Sequence, residues 1–328
     1  MMPKEGLMPV AAVAELIRAG HYLSLAGDEA ALRQLPLGNW IGGTIPYFMA
    51  ATGGTVSRDQ VFVQAVTGFA SPPRLRLYDP GTLPQLCRNA PDHGFSLLIV
   101  PAFSACHGDF ARNAPNYEDM YLKPLAGWVA GTHLDDAGHA TPRVVLGPSG
   151  EFSAEHAVVM DVELPPERFA QIDIINPFKP GDGDAISFAE TGFSVDTCFV
   201  NGEPMPLADY LSNLGVDTRL PLVADYCGAS VNVSIKQIDM GARRVELYAP
   251  VFPGLNYRLA TPSGEVAPPS VGGDASAGVP PTFACNCILN FLYEGLEGQR
   301  AGALTGPATF GEIGYQLLNQ TQVVLTVR

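Results

Sequence analysis

PTFACNCILNFLYEGLEG (residues 281–298) changes its period part-way along. Phe283, Ala284 and Cys285 form a short apolar run of the kind a buried strand shows, whereas Ile288, Leu289, Leu292, Tyr293 and Leu296 recur at helical spacing until Gly298. A strand feeding directly into a helix points to a mixed fold. The segment that follows, GPATFGEIGYQLLNQTQVVLTV (306–327), returns to extended structure and ends in a continuous apolar run. Cys285, Asn286 and Cys287 are therefore expected on the elbow between strand and helix. Backbone N–H groups at a helix start are unpaired and favour a thiolate or an anionic ligand, although small residues there also suit a packed turn.

Upstream, the segments 231–235 and 245–248 alternate apolar and polar residues, and 95–100 is a continuous apolar run. Weaker strand signals lie at 61–63, 157–160 and 172–175. Helices are expected over 10–19, over 29–35 with Asp28 as cap, and over 206–214, where Gly215 stops the pattern. Together these predict an α/β (α+β mixed) fold: two packed lobes built on mixed, largely antiparallel sheets flanked by helices. The turn-rich stretch 147–153 divides them into residues 1–150 and 151–328. Two segments resist regular structure. One is 104–131, rich in Gly, Pro, Asn and aromatic residues; the other is 261–282, whose five prolines and four glycines predict a long loop or a flap hinged at Gly272-Gly273.

The 328 residues hold 19 Lys plus Arg against 33 Asp plus Glu, a net charge of −14, with no run of basic residues. That balance argues against nucleic acid and against an anionic membrane surface as partners. Residues 34–57 are uncharged and long enough to span a bilayer, but Pro36, Pro46 and five glycines suit a strand and tight turns instead. No export signal is apparent, and six scattered cysteines do not make a disulfide framework, so free thiols in the cytoplasm are expected. With only 16% charged residues, apolar surface is left to hide, which predicts a homo-oligomer, in the simplest case a dimer.

No dinucleotide, P-loop or nucleophile-elbow motif occurs. Cys106 and His107 are neighbours after the 95–100 strand, but adjacent residues on an extended chain point opposite ways. They remain a weak alternative as metal or haem ligands, because no CxxC, HxxxH or HExxH spacing supports them. Asp182-Gly183-Asp184 resembles half a calcium loop without its glutamate spacing, and reads as a turn. An enzymatic alternative is a cysteine-dependent hydrolase or transferase using Cys285 or Cys106. A scaffold or assembly subunit is a third.

Phe310-Gly311-Glu312-Ile313, the later Asn319 and Thr321, the terminal strand, and the strand–Cys285–helix elbow together resemble the closing segment of FIST sensory domains. Trp40-Ile-Gly42-Gly43-Thr44, followed by Gly53-Gly54 and the strand over 61–66, is similar to the opening half of that family. The resemblance covers about a quarter of the chain. It departs at Ile45-Pro46, where the family has Gly-Glu, and at the Cys-Asn-Cys elbow. It implies two FIST-like lobes and a bacterial sensory module that binds a small ligand, haem among the candidates, in a pocket between the lobes. It would signal through a separate partner protein, since no output extension is visible. Trp40, Gly42, Gly43, Thr44 and Tyr47 from one half, and Cys285, Asn286, Cys287, Phe310, Gly311 and Glu312 from the other, are the expected site, with Tyr315 as a further wall. Gly42-Gly43 would let backbone amides approach the ligand, or would serve turn geometry alone; Glu312 would hold a cationic group, or would accept turn N–H bonds.

Overall fold

The computed structural model describes residues 5–226, 229–263, 279–300 and 304–328. Most of the 261–282 loop, including the Gly272-Gly273 hinge, and Cys227 lie outside the described residues. The protein has a mixed α/β fold in which strands dominate, 44% strand to 16% helix. The chain divides into two compact units: residues 1–174 with 270–317 and 322–328, and residues 175–269 with 318–321.

The larger unit is built on three six-stranded sheets. The first runs in the order Gly6–Pro9, Gln60–Val66, Tyr22–Gly27, Trp40–Thr44, Val144–Leu146, Glu151–Ser153, and its Tyr22–Gly27 and Trp40–Thr44 strands are parallel. The second runs Gln316–Leu318, Glu312–Gly314, Leu125–Ala130, Gly94–Pro101, Ala157–Glu163, Arg74–Tyr78, with Leu125–Ala130 parallel to Gly94–Pro101. The third runs Ala170–Ile175, Gln322–Val327, Phe283–Cys287, Gly306–Thr309, Tyr47–Ala50, Gly53–Val56. Residues 147–153, where composition suggests a lobe boundary, form the end of the hairpin that pairs Val144–Leu146 with Glu151–Ser153.

Local chemistry explains the helices. Val10–Arg18 buries Val13, Ala14 and Ile17 on one face and pairs Arg18 with Glu15 on the other. The helix capped by Asp28 is shorter than its pattern predicts, Glu29–Leu32, with the Asp28 carboxylate accepting from the Ala30 N–H. Half of the stretch expected to be irregular is regular. Ser104 caps the helix Ala105–Asn113 by accepting from the His107 N–H, Cys106, Phe110 and Ala111 bury its inner face, and Leu125–Ala130 is a fully buried strand. A serine cap and three apolar residues outweigh a composition that favours turns.

Sheet packing corrects the reading of Gly42-Gly43. These residues sit inside the Trp40–Thr44 strand, buried throughout, and not on a turn. A Cβ at Gly43 would lie 2.7 Å from Ile99 Cγ2 and 2.8 Å from Trp128 Cη2, so the glycine allows the first and second sheets to meet. Their amides serve the ladder and cannot form an anion nest.

The smaller unit is almost wholly β. One sheet runs Glu203–Pro206, Thr197–Val200, Ile186–Ser187, Tyr257–Pro262, Leu222–Tyr226, Ala229–Val233, with Phe178–Pro180 paired beside Tyr257–Pro262; a second joins Gly192–Val195, Arg244–Val251 and Ile235–Asp239. Its helix, Leu207–Leu214, ends at Gly215 in the left-handed region with φ 60°. The fully buried Asn232 amide donates to Asn176 Oδ1 at 2.9 Å and to the Asn319 carbonyl at 3.0 Å, while Ser234 donates to Gln320 Oε1 at 2.7 Å. This network fastens the tetrapeptide 318–321 into the unit.

Candidate functional site

The residues nominated from the two ends of the sequence all lie in the larger unit, but they separate into two groups. Cys285, Asn286, Cys287, Gly311 and Glu312 are in its interior. Cys285 falls within the strand Phe283–Cys287, not on the elbow; Cys287 is the N-cap residue of the helix Ile288–Tyr293. The Cys285 thiol is held well above its ordinary pKa, first by burial and then by the nearby Glu312 carboxylate, which is the reverse of the thiolate expected at a helix start. Thr309 ties this region together, its hydroxyl bonded to the carbonyls of Asn286 at 3.1 Å and Gly311 at 3.0 Å. Asn286 Oδ1 accepts from the Asn290 side chain at 3.0 Å. Glu312 is a strand residue opposite Trp128 and fully buried, so it does not face a ligand from solvent. Phe310 packs its ring where a Cβ on Gly131 would lie. Trp40 is buried with its indole N–H on the Pro36 carbonyl at 3.0 Å, and Gly42 is packed against that ring.

Cys106 and His107 occupy the first turn of the helix Ala105–Asn113 and not an extended segment. Burial lifts the Cys106 thiol to about 11 and drops His107 to about 4. His107 Nδ1 accepts from the Phe103 N–H at 3.3 Å, which closes the turn into the helix. Among the described residues no group of three His, Cys, Asp or Glu side chains is placed to hold a metal ion.

Thr44 and Tyr47 lead elsewhere, to a cleft of about 350 Å³ at the carboxyl ends of the strands Tyr22–Gly27, Trp40–Thr44 and Leu125–Ala130. Asp28, Glu29 and Arg33 reach it from the short helix that follows the first strand, and Thr44, Ile45 and Pro46 from the end of the second. Arg58 comes from the turn between Gly53–Val56 and Gln60–Val66; Gly131, Thr132, His133 and Asp136 follow the third strand. Tyr22–Gly27 and Trp40–Thr44 are a parallel pair, and the carboxyl ends of such pairs leave room for ligands because the connections diverge there; Leu125–Ala130 adds its end from the second sheet.

The charged groups are already organised. Arg58 Nη1 donates to Asp136 Oδ2 at 2.7 Å. Glu29 Oε1 accepts from Arg33 Nε at 2.8 Å and lies 3.4 Å from Arg143 Nε. The hydrogen bond from Arg58 holds the Asp136 carboxyl below the usual range, and Asp136 in turn raises Arg58. Tyr47 lies beneath, stacked on His133 with ring centroids 5.5 Å apart, and its hydroxyl accepts from the Leu134 N–H at 3.0 Å. Burial raises the Tyr47 hydroxyl above its ordinary value in spite of that bond, so it stays protonated at neutral pH.

A family model matches residues 8–328. The chain belongs to DUF6976, a family of unknown function. No curated protein matches the sequence. In this chain the cleft is defined by its geometry: two guanidinium groups, three carboxylates, one imidazole and three threonines around a space at the lower end of the size range of small-molecule sites.

Of the lining residues, the sequence points to Thr44, with Tyr47 beside them, and to His133 only as one of several histidines that could approach a metal; Asp28 as a lining residue, Glu29, Arg33, Arg58 and Asp136 carry no such signal. Asp28 was visible only as a helix cap. Arg58 and Asp136 stand 78 residues apart, and no local spacing links them.

Proposed function

We propose that the protein binds a small polar metabolite in the cleft bounded by Thr44, Arg58, His133 and Asp136, as a cytoplasmic FIST-like sensory protein that passes its signal to a separate partner. The observation that carries this reading is the cleft itself: side chains of both charges converge on about 350 Å³ of space at the ends of three strands. Ile45, Pro46, Ala30 and Ala140 supply apolar contact between the charged groups, so a ligand would bury both kinds of surface. The thiols support binding over cysteine chemistry, because Cys106 is pushed to about 11 and Cys285 well up, both by burial. The protein purified under mild conditions and then denatured should release one small molecule in near-stoichiometric amount, identified by mass spectrometry. An Arg33→Ala, Arg58→Ala double variant should release much less of it. Equal release from both proteins would overturn the assignment of the cleft.

A further inference from the structure

Thr44 holds two distant points of the chain together. Its carbonyl accepts from the Gly131 N–H at 2.7 Å and its hydroxyl donates to the Gly131 carbonyl at 2.7 Å. Its own N–H donates to the Arg143 carbonyl, and its hydroxyl accepts from the Arg143 N–H, both at 2.9 Å. One buried residue thereby pinches residues 131 and 143 together, and the chain between them closes into a compact loop of the Ω type.

Between those ends, residues 134, 135 and 137–141 are exposed, and Pro142 is buried. The loop is folded on itself: the Asp136 N–H donates to the His133 carbonyl, and the N–H groups of His139 and Ala140 donate to the Asp136 carbonyl. It is fastened to the body by polar and stacking contacts, namely Arg58 with Asp136, the Leu134 N–H with the Tyr47 hydroxyl, and His133 on the Tyr47 ring. His133, Asp136, Ala140 and Thr141 of this loop line the cleft. A segment with its ends pinned, its interior self-bonded and its one ion-pair fastening exposed has the makeup of a cooperative low-stability unit.

We infer that residues 132–142 form a strap that opens and closes over the cleft as one piece, with Thr44 as the fixed pivot and the Arg58–Asp136 pair as the latch. Releasing the latch loosens the strap, leaving the Leu134–Tyr47 bond and the His133–Tyr47 stack to part as it opens, without disturbing the strands on either side, because the Thr44 bonds at Gly131 and Arg143 flank both ends. Opening would widen the cleft on the side of His133 and Thr141; closing would cover a ligand and exclude water. The functional use of the strap rests on the cleft being a binding site, but its motion does not.

Hydrogen exchange on the ligand-free full chain, read by mass spectrometry, tests the motion alone. Asp136→Asn and Arg58→Gln should each speed exchange within 134–140 roughly two- to fivefold, the scale of one exposed ion pair. The double variant should be no faster than either single one, because the two changes remove the same contact. The amides of Gly131 and Arg143 should stay slow in all three. Salt at about 1 M, which shortens screening to about 3 Å, should speed the same peptides in the unaltered protein. Additive effects in the double variant, or exchange at 134–140 that ignores both variants and salt, would overturn the latch. Exchange that rises equally at Gly131 and Arg143 would overturn the pivot. A failed metabolite-release experiment alongside positive exchange would sink the binding reading and leave the strap in place.

Discussion

The hydroxyl of Thr44 donates to the carbonyl of Gly131 at 2.7 Å across 87 residues of sequence, and both residues line the same cleft. The bond is buried, so its loss leaves polar groups without water to replace it. Thr44→Val keeps the shape and removes the hydroxyl that serves both Gly131 and Arg143. We expect a loss of about 1–3 kcal/mol in chemical denaturation, with Thr44→Ser close to the parent protein. Equal stability of the Val and Ser variants would show that the hydroxyl contributes nothing.

Gly43 separates two readings of the double glycine. As a point of sheet contact it has no room for a methyl group, since Ile99 and Trp128 stand 2.7 and 2.8 Å from where the Cβ would be. Gly43→Ala should therefore cost about 1–3 kcal/mol of stability by overpacking. A variant as stable as the parent would contradict the packing role.

Asp161 is almost fully buried, accepts from the Ser96 hydroxyl at 2.7 Å, and lies 3.2 Å from Arg76. Burial raises its carboxyl above the ordinary aspartate value in spite of Ser96 and Arg76. A carboxyl raised in the folded state opposes folding while ionised. Its penalty is complete above the raised folded pKa and is relieved as pH falls through that pKa toward the unfolded value. Asp161→Asn removes this dependence. The stability of the parent relative to the variant should thus improve as pH is lowered from neutral into the carboxylate range, measured by urea unfolding at each pH. A relative stability that worsens with falling pH would reverse the assignment.

The thiols give a chemical test. Burial pushes Cys87 to about 12 and Cys106 and Cys198 each to about 11, with Cys285 also raised. For a pKa near 11 only roughly one thiol in ten thousand is ionised at neutral pH. Iodoacetamide should label these four slowly in the folded protein and readily once it is unfolded. Rapid selective labelling of Cys285 or Cys106 would restore the cysteine-enzyme alternative.

Much of the strand framework was legible because buried strands write themselves as apolar runs: the run over 95–100 lies in Gly94–Pro101, and the terminal run in Gln322–Val327. The change of period near residue 286 likewise marks a real transition from the strand Phe283–Cys287 to the helix Ile288–Tyr293. What period could not convey was depth. Cys285 reads in sequence as an elbow residue and Glu312 as a turn residue, yet both sit in strands whose neighbours cover them. The helix Ala105–Asn113 is hidden by the glycine and asparagine on its outer face, and its signal, Ser104 and three apolar residues, is sparse. The cleft was least legible. Its charged residues come from separate connections after different strands, and only the tertiary fold brings Arg58 to Asp136.

The binding claim is tested most directly by thermal-shift titration with a panel of small carboxylates, ammonium compounds, phosphates and zwitterions. The panel is run on the parent protein and on His133→Ala and Arg33→Ala variants. A true cleft ligand at a hundred times its dissociation constant stabilises the folded protein by about 2.7 kcal/mol. The account predicts at least one compound with a saturable shift in the parent protein that both variants lose. Shifts of equal size in the parent and both variants, or no saturable shift from any compound, would contradict it.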